Sequence, residues 1–159
     1  IIHIFMPAIA ALVSGVIYMM FLTKVPKRGG IFIMSTILGI LMMLVGSSWL
    51  VMATAVGSGL IAEIITGMGG YKSFKLNTLG FCFFSFWNTG TLLPFWVTRD
   101  IFLESLINSS GPEYAEAFAS ATPFWMLPTM YISAFLVAIV GAYIGKIVLK
   151  KHFSRAGIA

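Results

Sequence analysis

The sequence predicts an all-α, polytopic transmembrane helix bundle, and three observations predict it. The 159 residues are 59% hydrophobic and only 9% charged, with a mean hydropathy of +0.99, whereas soluble domains are about a quarter charged. The charges fall in short clusters between long apolar runs, which is how a bilayer spaces them. The basic residues sit between and after those runs rather than along one polar face, so the net charge of +5 reads as topology and not as nucleic-acid binding.

Charges and helix breakers divide the chain into five apolar segments, 1–23, 31–50, 51–66, 76–98 and 123–149. Most are near the ~20 residues a spanning helix needs; the third is short and is expected to be thin or tilted. The chain opens at Ile1 inside an apolar stretch without a charged leader. A preceding segment is therefore expected, and with it a sixth helix. In KVPKRGG (24–30), Pro26 stops the first helix, Gly29 and Gly30 free the turn, and Lys24, Lys27 and Arg28 mark a cytoplasmic surface. GSSW (46–49) is a short uncharged turn at the opposite face, and GMGGYKSFK (67–75) returns Lys72 and Lys75 to the basic side.

The longest connection, 99–122, carries Arg99, Asp100, Glu104, Glu113 and Glu116 and is expected outside. RDIFLESLI and PEYAEAFASA repeat apolar residues at helical spacing, Pro112 suits a first helical position, and NSSG marks a turn, so this loop is predicted to be a helical hairpin lid. The tail KKHFSRAG is basic again. All ten Lys and Arg except Arg99 then lie on one side, which predicts a cytoplasmic carboxyl terminus.

Catalytic chemistry is not visible. His3 and His152 are predicted on opposite faces, and no HExxH, GxSxG or glycine-rich phosphate loop occurs, so neither an enzyme nor a resident metal or cofactor is expected. Without a Walker motif, active transport would draw on a separate ATPase or an ion gradient. The lone Cys82 excludes an internal disulfide and a cysteine-based metal cluster, and reads as packing.

Pro-Phe-Trp occurs twice, at Pro94-Phe95-Trp96 and Pro123-Phe124-Trp125, both toward the outer face. An interfacial aromatic belt would place tryptophans at both surfaces, yet Trp49, Trp87, Trp96 and Trp125 all fall at mid-span or in the outer half, which favours a pocket. Asn88, Thr89 and Thr91 lie in the same half of the fourth segment, where an unpaired amide in hydrocarbon is costly and faces other helices or a cavity. With Arg99 and Asp100 above them, Asn88 and Thr91 form a candidate substrate-binding set; interhelical packing for Asn88, and pairing of Arg99 and Asp100 with each other or with headgroups, are the plainer alternatives.

Glu63, near the inner end of the third segment, is expected to pair with Lys72 or Lys75 rather than to relay protons. Small residues Ala53, Ala55, Gly57 and Gly59, and the pair Gly141 and Gly145, are spaced for close helix contact.

The stretches PAIAALVSGVIYMMFLTKVPKRGGIFI, YKSFKLNTLGF, PFWVTRD and LKKHFSRAGIA resemble the Trep-Strep group of bacterial integral membrane proteins, regarded as substrate-binding S components of energy-coupling factor (ECF) transporters. The resemblance covers nearly the whole chain. It implies a six-helix subunit of the bacterial cell membrane that captures a micronutrient from outside and pairs with a transmembrane T component and two ATP-binding-cassette ATPases. By this resemblance the visible chain is expected to correspond to the family from its second helix onward, with the first helix, whose small residues dock the T component, expected ahead of Ile1. A small heteroaromatic vitamin or cofactor precursor suits an aromatic wall with few polar contacts. Haem, with His3 near Met6 as an axial ligand, is the competing ligand. A self-sufficient carrier and a membrane assembly or scaffold protein are the competing functions.

Overall fold

A computed structural model describes Met6 through Arg155, with side chains from Ala8 to Lys151. The expected roles of His3, Met6 and His152 fall outside the described residues or side chains. All regular structure described is helical: α1 (Met6–Lys24), α2 (Gly30–Leu44), α3 (Trp49–Met68), α4 (Phe74–Phe84), a 3-10 segment (Ser85–Thr91), α5 (Pro94–Val97), α6 (Arg99–Ser110), α7 (Pro112–Ala121) and α8 (Met126–Arg155). Two of these are long and apolar enough to cross a membrane unaided, α3 and the stretch Met126–Lys151 of α8.

The third segment differs from expectation. It is a full 20-residue helix, because Ser48 accepts a hydrogen bond from the Leu50 amide at 3.3 Å and starts the helix two residues earlier, and because Gly67 and Met68 extend it past Thr66. The short one is α2, at 15 residues. The predicted helical hairpin is present as α6 and α7, with Gly111 at φ 90° forming the corner and Pro112 opening the second helix.

Small side chains set the helix pairings. Gly141 and Gly145 of α8 lie against the backbone of Ala11, Leu12 and Gly15 of α1, so these two helices run parallel. Gly39 of α2 meets Met52 and Ala55 of α3, while Gly59 of α3 meets Ser35, an antiparallel pairing; Gly80 of α4 packs on Thr66 and Ala62 of α3. Of the small residues singled out by sequence, Ala55, Gly59, Gly141 and Gly145 serve these contacts. Gly57 faces open space and Ala53 is exposed.

Large apolar side chains cover the outside of the bundle as well as its core. The outer faces carry Ile9, Val13 and Ile17 on α1 and Ile132, Leu136, Val140 and Ile147 on α8, all more than half exposed. Ser35, Ser58, Thr66, Asn77 and Thr89 are buried. An apolar exterior stripe at helical spacing with polar groups turned inward is the arrangement that hydrocarbon demands.

Candidate functional site

The fourth apolar segment is not one helix. Regular α geometry ends at Phe84, and Ser85–Thr91 is wound as a 3-10 helix before Pro94 begins α5. The residues explain the change. Pro94 has no amide hydrogen for the Gly90 carbonyl, and three hydroxyls bond backward to carbonyls three residues earlier: Ser85 to Cys82 (2.7 Å), Thr89 to Phe86 (2.6 Å) and Thr91 to Asn88 (2.8 Å). Such local bonds compete with the α ladder and tighten it.

Neighbouring helices hold the irregular stretch. Thr54 of α3 donates to the Trp87 carbonyl at 3.0 Å, and Gly90 lies so close to Val51 and Thr54 that no side chain fits there. The Thr89 hydroxyl also bonds the Tyr131 hydroxyl of α8 at 3.1 Å. Beside that bond, Phe86, Tyr131, Ile132, Phe135 and Leu136 line an open groove of about 260 Å³ on the outward side of α8, where Ile132 and Leu136 are more than half exposed. Its aromatic walls are ordered by edge-on contacts, with Phe86 and Tyr131 ring centres 5.0 Å apart and Phe83 and Phe135 6.0 Å apart.

The α6–α7 hairpin is tied to the same end of α8, through the cluster of Phe95 and Trp96 with Tyr131. The Arg99 guanidinium donates to the Thr122 and Ala119 carbonyls, each at 2.8 Å, and to the Phe95 carbonyl at 3.4 Å. It therefore caps the carboxyl-terminal end of α7, where carbonyls lack helical partners and a cation is favoured. Phe95, Phe102 and Phe118 form a ring cluster with centre separations of 4.6, 4.9 and 5.4 Å that joins α5, α6 and α7. The two Pro-Phe-Trp copies touch, since the Trp96 indole donates to the Pro123 carbonyl at 3.2 Å.

These contacts sort the residues named from sequence. Trp96 is buried and, with Arg99, fastens the hairpin. Thr91 bonds its own segment. Trp49 and Trp125 are each 63% exposed, and Asp100 is exposed beside Arg99 without pairing to it. Trp87 packs against the bundle core. The half-buried Asn88 keeps an amide with no hydrogen-bond partner among the described residues, so it has hydrogen-bonding capacity left for a ligand. Thr89 belongs to the polar group read from the fourth segment, whereas Thr54, Phe86, Tyr131 and Phe135 were not singled out from the sequence, because nothing local shows that α3 and α8 converge on residues 85–91.

Glu63 corrects another expectation. Its carboxylate is engaged by the start of α2, accepting from the amides of Gly29 (2.8 Å), Ile31 (2.9 Å) and Phe32 (3.3 Å), and by the Tyr71 hydroxyl. Neither Lys72 nor Lys75 holds it. A helix amino terminus offers several unpaired donors and a positive dipole end, a better partner than one mobile ammonium. Burial and this donation push the Tyr71 phenol up to about 12.

A family model described as "Hypothetical bacterial integral membrane protein (Trep_Strep)" matches residues 1–155. Comparison with curated proteins and with solved structures finds no match.

Proposed function

The chain belongs to the Trep_Strep family of bacterial integral membrane proteins, and on that premise we propose that it is the substrate-capture (S) subunit of an ECF-type importer. The observation that carries this reading is the interrupted fourth segment, with an open aromatic groove beside it and a fastened hairpin whose Phe95 and Trp96 share a cluster with Tyr131. Irregular backbone at membrane depth is tolerated where it is packed in protein or lines a cavity, and transporters place substrates at such breaks. The ligand is a small heteroaromatic micronutrient, its ring against Phe86, Tyr131 and Phe135 and a polar edge toward Asn88.

In this reading five helical segments cross the bilayer. The fourth does so despite its break, since 11 α-helical residues span about 16 Å and seven 3-10 residues about 14 Å, together close to the ~30 Å hydrocarbon thickness. The basic end is cytoplasmic with the carboxyl terminus, and the hairpin is external. A Glu113→Cys variant should react with an impermeant thiol reagent on intact cells and Lys72→Cys should not; the reverse pattern would invert the scheme.

The chain's residues bind the ligand, and ATP hydrolysis belongs to partners. Affinity purification in mild detergent should recover a transmembrane T component and two ATP-binding-cassette subunits. Transport by the purified chain reconstituted alone would instead identify a self-sufficient carrier, and recovery of unrelated membrane assemblies a scaffold.

A further inference from the structure

The largest cavity described lies at the opposite, basic end. It holds about 480 Å³ between the last turns of α1 (Met19, Leu22, Thr23), the α3–α4 turn, the start of α4 and the distal part of α8 (Lys146, Leu149). Lys72 stands at its wall, and the Lys146 ammonium sits 4.3 Å from the centre of the Phe74 ring. On the far side of Phe74 a second cavity of about 220 Å³ is lined by Lys75, Thr78 and Tyr143. Three lysines thus surround the start of α4, whose N-cap residue Ser73 makes no side-chain capping bond. The nearest carboxylate in sequence, Glu63 of α3, is occupied by the start of α2 and by Tyr71.

A second observation is independent of charge. Among the described residues, two buried side-chain atoms lack any hydrogen-bond partner, Asn77 Oδ1 and Thr78 Oγ1. Asn77 lines the first cavity and Thr78 the second. The Asn77 residue is 8% exposed and its amide nitrogen is already committed to the Tyr71 carbonyl at 3.1 Å. What remains is an acceptor that needs a hydroxyl or amine donor, at a cost of about 1–3 kcal/mol while it has none.

We propose that this paired cavity binds the headgroup of an anionic phospholipid that carries free hydroxyls, of the phosphatidylglycerol class. The phosphate is held by Lys72 and Lys146 at the uncapped start of α4, where both the side-chain charge and the helix dipole favour an anion. A headgroup hydroxyl supplies the donor that Asn77 Oδ1 lacks. Met19, Leu22 and Leu149 form an apolar wall for the first methylenes of an acyl chain. A free phosphate ester shares the charged part of this chemistry and lacks the chain, which is why the apolar wall favours the lipid.

The test uses delipidated full-length protein in a neutral maltoside detergent. Phosphatidylglycerol added in mixed micelles should raise the thermal midpoint by about 5 °C or more near saturation, phosphatidylcholine should not, and the Lys72→Gln/Lys146→Gln double variant should lose the shift. An equal shift with phosphatidylcholine, an equal shift with glycerol 3-phosphate in water, or an undiminished shift in a folded double variant each overturns the proposal. Should the double variant not fold, native mass spectrometry of the wild-type protein from micelles with equal amounts of both lipids decides. Phosphatidylglycerol should be retained about tenfold over phosphatidylcholine, and equal retention overturns the proposal.

Discussion

Gly141→Leu is expected to prevent α1 and α8 from packing and to lower the thermal midpoint of the detergent-purified protein by about 10 °C or to abolish the folded species. A Cβ at this position would lie 2.6 Å from the Ala11 carbonyl oxygen and 3.2 Å from the Leu12 Cα. Both are backbone atoms of the facing helix and cannot rotate away, so relief requires the helices to separate. Overpacking of a core costs about 1–3 kcal/mol and more where backbone must move, and each kcal/mol shifts the midpoint of a chain this size by about 2–4 °C. Gly57→Ala is the matched control. A Cβ there meets nothing within 4 Å, so the substitution should be neutral or stabilise by about 0.5–1 kcal/mol through helix propensity.

The second large effect is expected from Glu63→Ala. Removing the carboxylate leaves the amides of Gly29, Ile31 and Phe32 and the Tyr71 hydroxyl without their acceptor. Partial burial leaves water able to replace some of these bonds, so a loss of about 2–4 kcal/mol is expected in thermal or denaturant unfolding. Tyr71→Phe in the Glu63→Ala background should cost less than in the wild type, because the hydroxyl has already lost its partner. Equal costs in both backgrounds would show that the two residues are not coupled. The same geometry has a pH consequence. The folded state holds the Tyr71 phenol protonated up to about 12, above its ordinary value near 10, so its contribution is complete below about pH 10 and is lost as the pH rises toward 12.

The helical class, the breaks at 24–30 and 67–75 and the helical hairpin at 99–122 were legible because each rests on a local signal: charge in an apolar chain, a proline or glycine at a boundary, or apolar spacing along a loop. The 3-10 stretch was less so. Ser85, Thr89, Gly90, Thr91 and Pro94 all weaken an α-helix, yet a long apolar segment reads as one helix unless their joint effect on the backbone ladder is counted. Glu63 was given a lysine partner because lysines are near in sequence, while its donors, the amides at the start of α2, lie more than thirty residues away. Asn77 could have been found by the reasoning applied to Asn88, since both are amides inside one apolar segment. The aromatic groove could not, because Phe86 and Tyr131 meet only through the packing of α8 against residues 85–91.

The central claim is that the outer half of this bundle captures a small heteroaromatic molecule. The direct measurement is equilibrium titration of the purified protein with a panel of vitamins and heteroaromatic precursors, followed by intrinsic tryptophan fluorescence, in the wild type and in Asn88→Ala and Tyr131→Ala. At least one compound should give a saturable change that weakens tenfold or more in both variants. Absence of any saturable response from protein with an intact thermal transition would contradict it.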